Sequence, residues 1–163
     1  MVTVRSAELS DVERIAEIQV ASWQAAYREI LSAQFLAGLS AERRRVFWAN
    51  NFGDRRVLLA ELDGRIEGFI SLASAEDSTL GEVQALYLDP SISRRGVGTE
   101  LMKAGESRLS EVGFTEGILW VLVDNVAARR FYEAMGWTPE ARIALMEIGG
   151  RAVTEIRYHK DLA

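Results

Sequence analysis

Residues 2–6 alternate apolar and polar positions and are rich in β-branched side chains, which predicts an opening strand. Ser10 then precedes an acidic turn and is read as a helix cap. Val12, Ile15, Ala16, Val20, Trp23, Ala26 and Tyr27 follow in one helical stripe, the pattern of a helix with a single buried face. A second helical stretch, roughly 32–52, carries Phe35, Leu36, Leu39, Val46, Phe47 and Trp48 and breaks near Gly38-Leu39-Ser40. The runs RRVLLAEL and RIEGFISLASA flank Asp63-Gly64, a pair suited to the positive φ angles of a tight hairpin turn. Glu82 to Leu88 reads as a further strand, ended by Asp89-Pro90. The segment SISRRGVGTEL opens a helix that runs to about Val112, with Gly113 placed to stop it. Gly117 to Val123 is apolar on both parities, as expected of a central strand covered on both faces. Asp124-Asn125 leads into a helix ending near Met135-Gly136, and ARIALMEI and RAVTEIRYHK around Gly149-Gly150 form a second hairpin.

This order predicts one α/β domain over residues 1–163, with a mixed sheet and helices on both faces. A chain of 163 residues that is 48% apolar can bury a substantial core, and a net charge of −5 does not favour disorder. Its longest apolar run, Ile118 to Val123, is too short to span a bilayer, and the charged first residues do not resemble a signal peptide. The expectation is a cytoplasmic protein without a membrane partner. The absence of cysteine excludes disulfides, thiolate zinc sites and a cysteine nucleophile. His159 is the only histidine and reads as an exposed terminal residue, so no metal site is expected. A pI near 5.0 weighs against a nucleic-acid partner. Local basic clusters, Arg94-Arg95 among them, still suit a small polyanion.

Arg94-Arg95-Gly96-Val97-Gly98-Thr99 lies between a strand and a helix. Its glycines permit close backbone approach, and the first-turn N–H groups and helix dipole favour an anion. No Gly-Lys-Ser/Thr follows, so this is not a Walker loop, and the third glycine of a dinucleotide fingerprint is missing. Downstream, Asn125, Ala128, Phe131 and Tyr132 have the spacing N-x-x-A-x-x-F-Y, closed by Gly136-Trp137.

With both motifs in order around a strand–helix–strand unit, the sequence resembles the GCN5-related N-acetyltransferase (GNAT) superfamily, most clearly over roughly 55–138. The resemblance implies a V-shaped mixed sheet of the acyl-CoA N-acyltransferase type and acetyl-CoA as co-substrate. It places the CoA pyrophosphate on Arg94, Arg95, Gly96, Val97, Gly98 and Thr99, and the pantetheine arm along Leu86, Tyr87 and Leu88. Asn125 and Tyr132 correspond to residues that face the cofactor. Where the family pattern has glutamine or arginine, this chain has Ser93, which shifts the burden of phosphate binding to the two arginines and the main chain.

The implied reaction moves acetyl to a primary amine, on a small molecule or a peptide, by direct attack in a ternary complex. Tyr132 suits the role of acid, since a phenol stays protonated at neutral pH and a departing thiolate accepts its proton. Main-chain N–H groups near Leu86 and Tyr87 suit the oxyanion. Glu82, 11 residues before Ser93, resembles the base glutamate of some histone-acetylating members. By simple alternation Glu82 shares a face with Gln84, Leu86 and Leu88. Water relays ending on Glu82 or Asp124 are the alternative, because Leu119-Trp120-Val121-Leu122-Val123 offers no carboxylate. Trp23 and Tyr27 are candidates to line the acceptor pocket, although their spacing equally suits core packing. The competing readings are transfer of a bulkier acyl group such as succinyl, and a catalytically silent CoA-binding module. The resemblance also makes a homodimer an expectation.

Overall fold

The computed structural model describes residues 1–54, 56–92 and 95–162. Its strands are β1 (Val2–Ser6), β2 (Arg56–Leu62), β3 (Arg65–Ser74), β4 (Gly81–Leu88), β5 (Glu116–Leu122), β6 (Thr138–Ile148) and β7 (Arg151–Asp161). They form a seven-stranded sheet in the order β1-β2-β3-β4-β5-β7-β6. Neighbours are antiparallel except β4 and β5, which are parallel and are joined through the crossover helix α4 (Val97–Val112). The other helices are α1 (Val12–Ala26), α2 (Ala33–Ala37), α3 (Ala41–Asn51) and α5 (Val126–Ala134).

Local chemistry accounts for most boundaries. Asp63 and Gly64 take φ of +53° and +80°, the left-handed pair that lets β2 turn tightly into β3. The helical stretch after α1 divides at Gly38-Leu39-Ser40, and each half has a serine cap. Ser32 accepts the Phe35 N–H and Ser40 the Arg43 N–H, both at 3.1 Å. Gly113, at φ +114°, ends α4.

Two expectations are corrected. Ser10 is not the cap of α1: it lies inside a short 3-10 turn, Leu9–Asp11, which α1 follows with Asp11 at its N-cap position. The Asp11 carboxylate accepts the Glu8 N–H at 2.8 Å and is held by Arg5, so the structural acid is one residue further on. His159 is half-buried rather than exposed. It is part of β7, opposite Ile118 and Thr138, with its Nδ1 3.6 Å from Glu140.

The sheet separates two apolar layers. On one side, Leu58, Ile70, Leu72, Val83, Leu101, Met102, Leu119 and Trp137 pack beneath α4 and α5. On the other, Ile15, Ile18, Trp48, Leu59 and Phe69 pack beneath α1 and α3. Trp48 is only 2% exposed and donates its indole N–H to Gln19 at 2.8 Å, so this aromatic belongs to the core.

Candidate active site

The sheet opens at its centre. The β4–β5 ladder holds three pairs, Gly81–Gly117, Glu82–Ile118 and Val83–Leu119, and among the described residues no pair follows. β4 continues along β3, and β5 continues along β7. A bulge marks the parting: Ser71 lies opposite Ala85 and Leu72 opposite Val83, leaving Gln84 as the extra residue. Bulges bend a strand and increase its twist, which turns the end of β4 away from β5. The result is a cleft of about 490 Å³ between the strands. Its β4 wall offers main-chain groups to whatever enters.

The bulge also reverses which side chains share a face. Val83 packs under α4 with Leu86 and Leu88, whereas Ala85 and Tyr87 pack on the α1–α3 side. Simple alternation therefore fails: Glu82 does not share a face with Leu86 and Leu88. Glu82 sits at the closed end of the opening, and the cleft lining contains Val83 and Gln84 but not Glu82.

At the other end of β4, α4 begins on Gly96, whose φ of +78° suits glycine. The helix ladder starts with the Glu100 N–H bonded to the Gly96 carbonyl at 3.1 Å, so the N–H groups of Val97, Gly98 and Thr99 have no helical partner. Val97 is 2% exposed and anchors this turn in the core. Gly98 lines the cleft, where a Cβ would lie 3.4 Å from Leu88 and from the Phe131 ring. Arg95 is exposed and approaches Asp63 of the β2–β3 turn at 3.6 Å. Arg94 and Ser93 lie outside the described residues.

Two further elements close the walls. Asn125 caps α5 by accepting the Ala128 N–H at 3.2 Å, and Tyr132 follows two turns later. Arg129 fixes the helix from within, donating to the Tyr158 hydroxyl at 2.9 Å and to the Val123 carbonyl at 3.1 Å. From α1, Trp23 and Tyr27 enter the cleft with their rings edge to face, 4.9 Å between centroids.

Enclosure governs the titration of these groups. Burial, aided by the neighbouring Tyr87, pushes the Tyr132 phenol well above its ordinary range. Burial also raises Tyr27, and its phenol neighbours add to this while Asn125 works the other way. Burial raises Tyr87, partly offset by the Trp23 indole. All three phenols keep their protons at neutral pH.

Of the sequence-predicted residues, Trp23, Tyr27, Leu86, Tyr87, Leu88, Gly98, Asn125 and Tyr132 line this one cleft. Val97 and Thr99 flank Gly98, Arg95 stands at the surface, and Glu82 lies off the lining. Sequence reasoning missed Trp120 and, above all, Glu155 of β7, a half-buried carboxylate opposite Leu122. The signal was present: Ile156 and Tyr158 mark one face of β7, and its neighbour β5 is apolar on both faces. A charged residue on the second face of β7 thus faces covered space.

Among the described residues no helix is long and apolar enough to cross a membrane, and no group of three or more His, Cys, Asp or Glu is arranged to hold a metal. Comparison with known proteins adds the lineage. The uncharacterized N-acetyltransferase YuaI of Bacillus subtilis is 32% identical over 161 residues, covering 96% of this chain and 91% of that protein. A mycothiol acetyltransferase of Sanguibacter keddieii is 42% identical over 86 residues, half of this chain but 27% of that protein. In fold, the chain is similar to the PaiA N-acetyltransferase of Thermoplasma acidophilum, solved with coenzyme A, at a TM-score of 0.82, 23% identity and 99% coverage of both chains. It is also similar to yncA of Salmonella typhimurium, solved with its cofactor acetyl-CoA, at a TM-score of 0.76 and 18% identity, covering 100% of this chain and 95% of that one. The Acetyltransferase (GNAT) family model matches residues 20–137, and the chain belongs to that family.

Proposed function

We propose that residues 1–163 act as one acetyl-CoA-dependent N-acetyltransferase domain that acetylates a primary amine by direct attack within a ternary complex. The observation that carries this reading is the continuity of the cleft. N–H groups at the start of α4 that have no helical partner among the described residues, the β4 edge beyond Val83, and Tyr132 form one connected surface.

Each part answers one demand of the reaction. The α4 N-terminus, preceded in sequence by Arg94 and Arg95, suits a diphosphate. The β4 edge at Leu86, Tyr87 and Leu88 suits an extended amide-bearing arm, as a missing strand would. When bound, acetyl-CoA supplies an activated acyl group on a thiol leaving group. Main-chain N–H groups of the same edge stabilise the charge that develops on the carbonyl oxygen. The Tyr132 phenol, protonated at neutral pH and raised further by its enclosure, gives its proton to the departing sulfur. Trp23, Tyr27 and Trp120 wall the acceptor side.

Calorimetry with acetyl-CoA and a CoA-release assay over a panel of amines test this reading. Binding and amine-dependent thiol release are expected, with acetyl-CoA preferred over succinyl-CoA. The paired substitution Arg94→Ala/Arg95→Ala should weaken binding about tenfold or more, as expected for loss of charge-assisted phosphate contacts. An unliganded protein, or a double variant with undiminished affinity, overturns the loop assignment.

A further inference from the structure

We propose that Glu155 is the general base that takes the proton from the acceptor ammonium. This rests on the acetyl-transfer reading above and departs from the sequence expectation, which offered Glu82 as the base or a water relay ending on Glu82 or Asp124.

A carboxylate serving this reaction must line the cleft and be free to accept a proton. Two line it, Asp89 and Glu155. Asp89 is occupied: one oxygen accepts from Arg14 at 2.8 Å and the other from the Ser91 N–H at 2.9 Å. Burial pushes Asp89 up, but these partners outweigh it and hold its carboxyl below the ordinary value. Glu155 differs on each count. Its side chain has no ion pair or hydrogen bond among the described residues, and the residue stands on β7 opposite Leu122 of β5 and Ala144 of β6. Burial alone raises its carboxyl above the ordinary carboxylate range, which moves it toward the strength a base needs near neutrality.

Few charged or titratable groups surround it. Tyr27 of α1 and Tyr87 of β4 are within its electrostatic reach, and both remain neutral phenols. β5 contributes Trp120 and Leu122, and β6 contributes Ile148 to the lining. On β7 itself Arg157 shares the face of Glu155 but is engaged by Glu140. From β4, Glu82 lies on that side at the closed end. Glu155 therefore confronts the acceptor space without a cation of its own, between aromatic walls that also suit an ammonium.

The step balances as follows. The ammonium R–NH3+ gives one proton to the Glu155 carboxylate, and the freed lone pair forms the N–C bond at the acetyl carbonyl. The C–S bond then breaks, its electron pair leaves on sulfur, and the sulfur takes the Tyr132 proton. The second proton leaving the nitrogen restores the Tyr132 phenol, and Glu155 releases its proton to solvent. The products are the amide, the free thiol of CoA and one proton.

Glu155→Gln tests this in the full chain, with acetyl-CoA binding by calorimetry and pH profiles of kcat and kcat/KM by CoA release. Wild type should lose kcat/KM as pH falls through the carboxyl pKa, because only the ionised form accepts a proton. Glu155→Gln should lower kcat about 100-fold or more and erase that acidic limb, with acetyl-CoA affinity unchanged. Glu155→Asp should keep the limb at reduced kcat. If Glu155→Gln does not fold by circular dichroism, Glu155→Asp decides: reduced kcat supports the role, and wild-type kcat overturns it. A Gln variant that raises the amine KM alone, or keeps the acidic limb, overturns the base assignment and leaves a counter-ion. Wild type that neither binds acetyl-CoA nor releases thiol fails the acetyl-transfer reading itself, and this proposal with it.

Discussion

Tyr132 is a phenol, protonated at neutral pH in any case, and where α5 puts it raises it further above its ordinary range. Phe131 packs against it with 5.6 Å between ring centroids, and Tyr158 approaches from beneath at 6.3 Å. Tyr158 also accepts from Arg129 and donates to Glu133 at 3.2 Å, so the helix that carries the phenol is bolted to β7 on both sides of it. Replacing Tyr132 by Phe removes the hydroxyl and keeps the ring. Turnover should fall about 100-fold, with acetyl-CoA affinity nearly unchanged, since the proton matters in the transition state and not in binding. Steady-state kinetics beside calorimetry check the split. The position of Tyr132 was legible in its motif spacing. The further rise of its phenol was not, because enclosure depends on Tyr87 and on a cleft that no local pattern reveals.

At the scale of elements, the strands, helices and both hairpins follow from alternation, helical stripes and turn residues. What the pattern hides is the extra residue in β4. GEVQALYL alternates well enough on paper, but the bulge at Gln84 moves Glu82 off the face of Leu86 and Leu88. The β6–β7 hairpin hides a second contact. Gly149, at φ +60°, sits so close to Phe35 of α2 that any Cβ there would collide with the ring. The hairpin tip carries Ile148 to the cleft lining. Gly149→Ala should cost about 1–3 kcal/mol in stability and raise the amine KM while acetyl-CoA affinity holds. Gly150→Ala, at φ +81° with open space around it, incurs backbone strain without the collision and should leave the amine KM closer to wild type. Thermal melts and amine titrations on both variants distinguish the two.

For the whole molecule, the decisive fact is that two antiparallel blocks, β1 to β4 and β5 to β7, share three ladder pairs. A ligand lying along β4 and touching α5 engages both blocks. At a concentration about 100 times its Kd, acetyl-CoA should add about 2.7 kcal/mol to the folded state. For a chain of this size that is a rise in Tm of about 5–10 °C, readable in a thermal melt. An unchanged Tm at such saturation would contradict the cleft as the binding site.

So short a seam cannot by itself keep the blocks in register. The blocks also meet in one apolar cluster, where Val83 of β4 and Leu119 of β5 lie with Leu101, Met102 and Leu109 of α4. On the acetyl-transfer reading, the wall for the thioester and the proposed base stand on opposite leaves, and this shared cluster helps the short ladder hold them at one spacing.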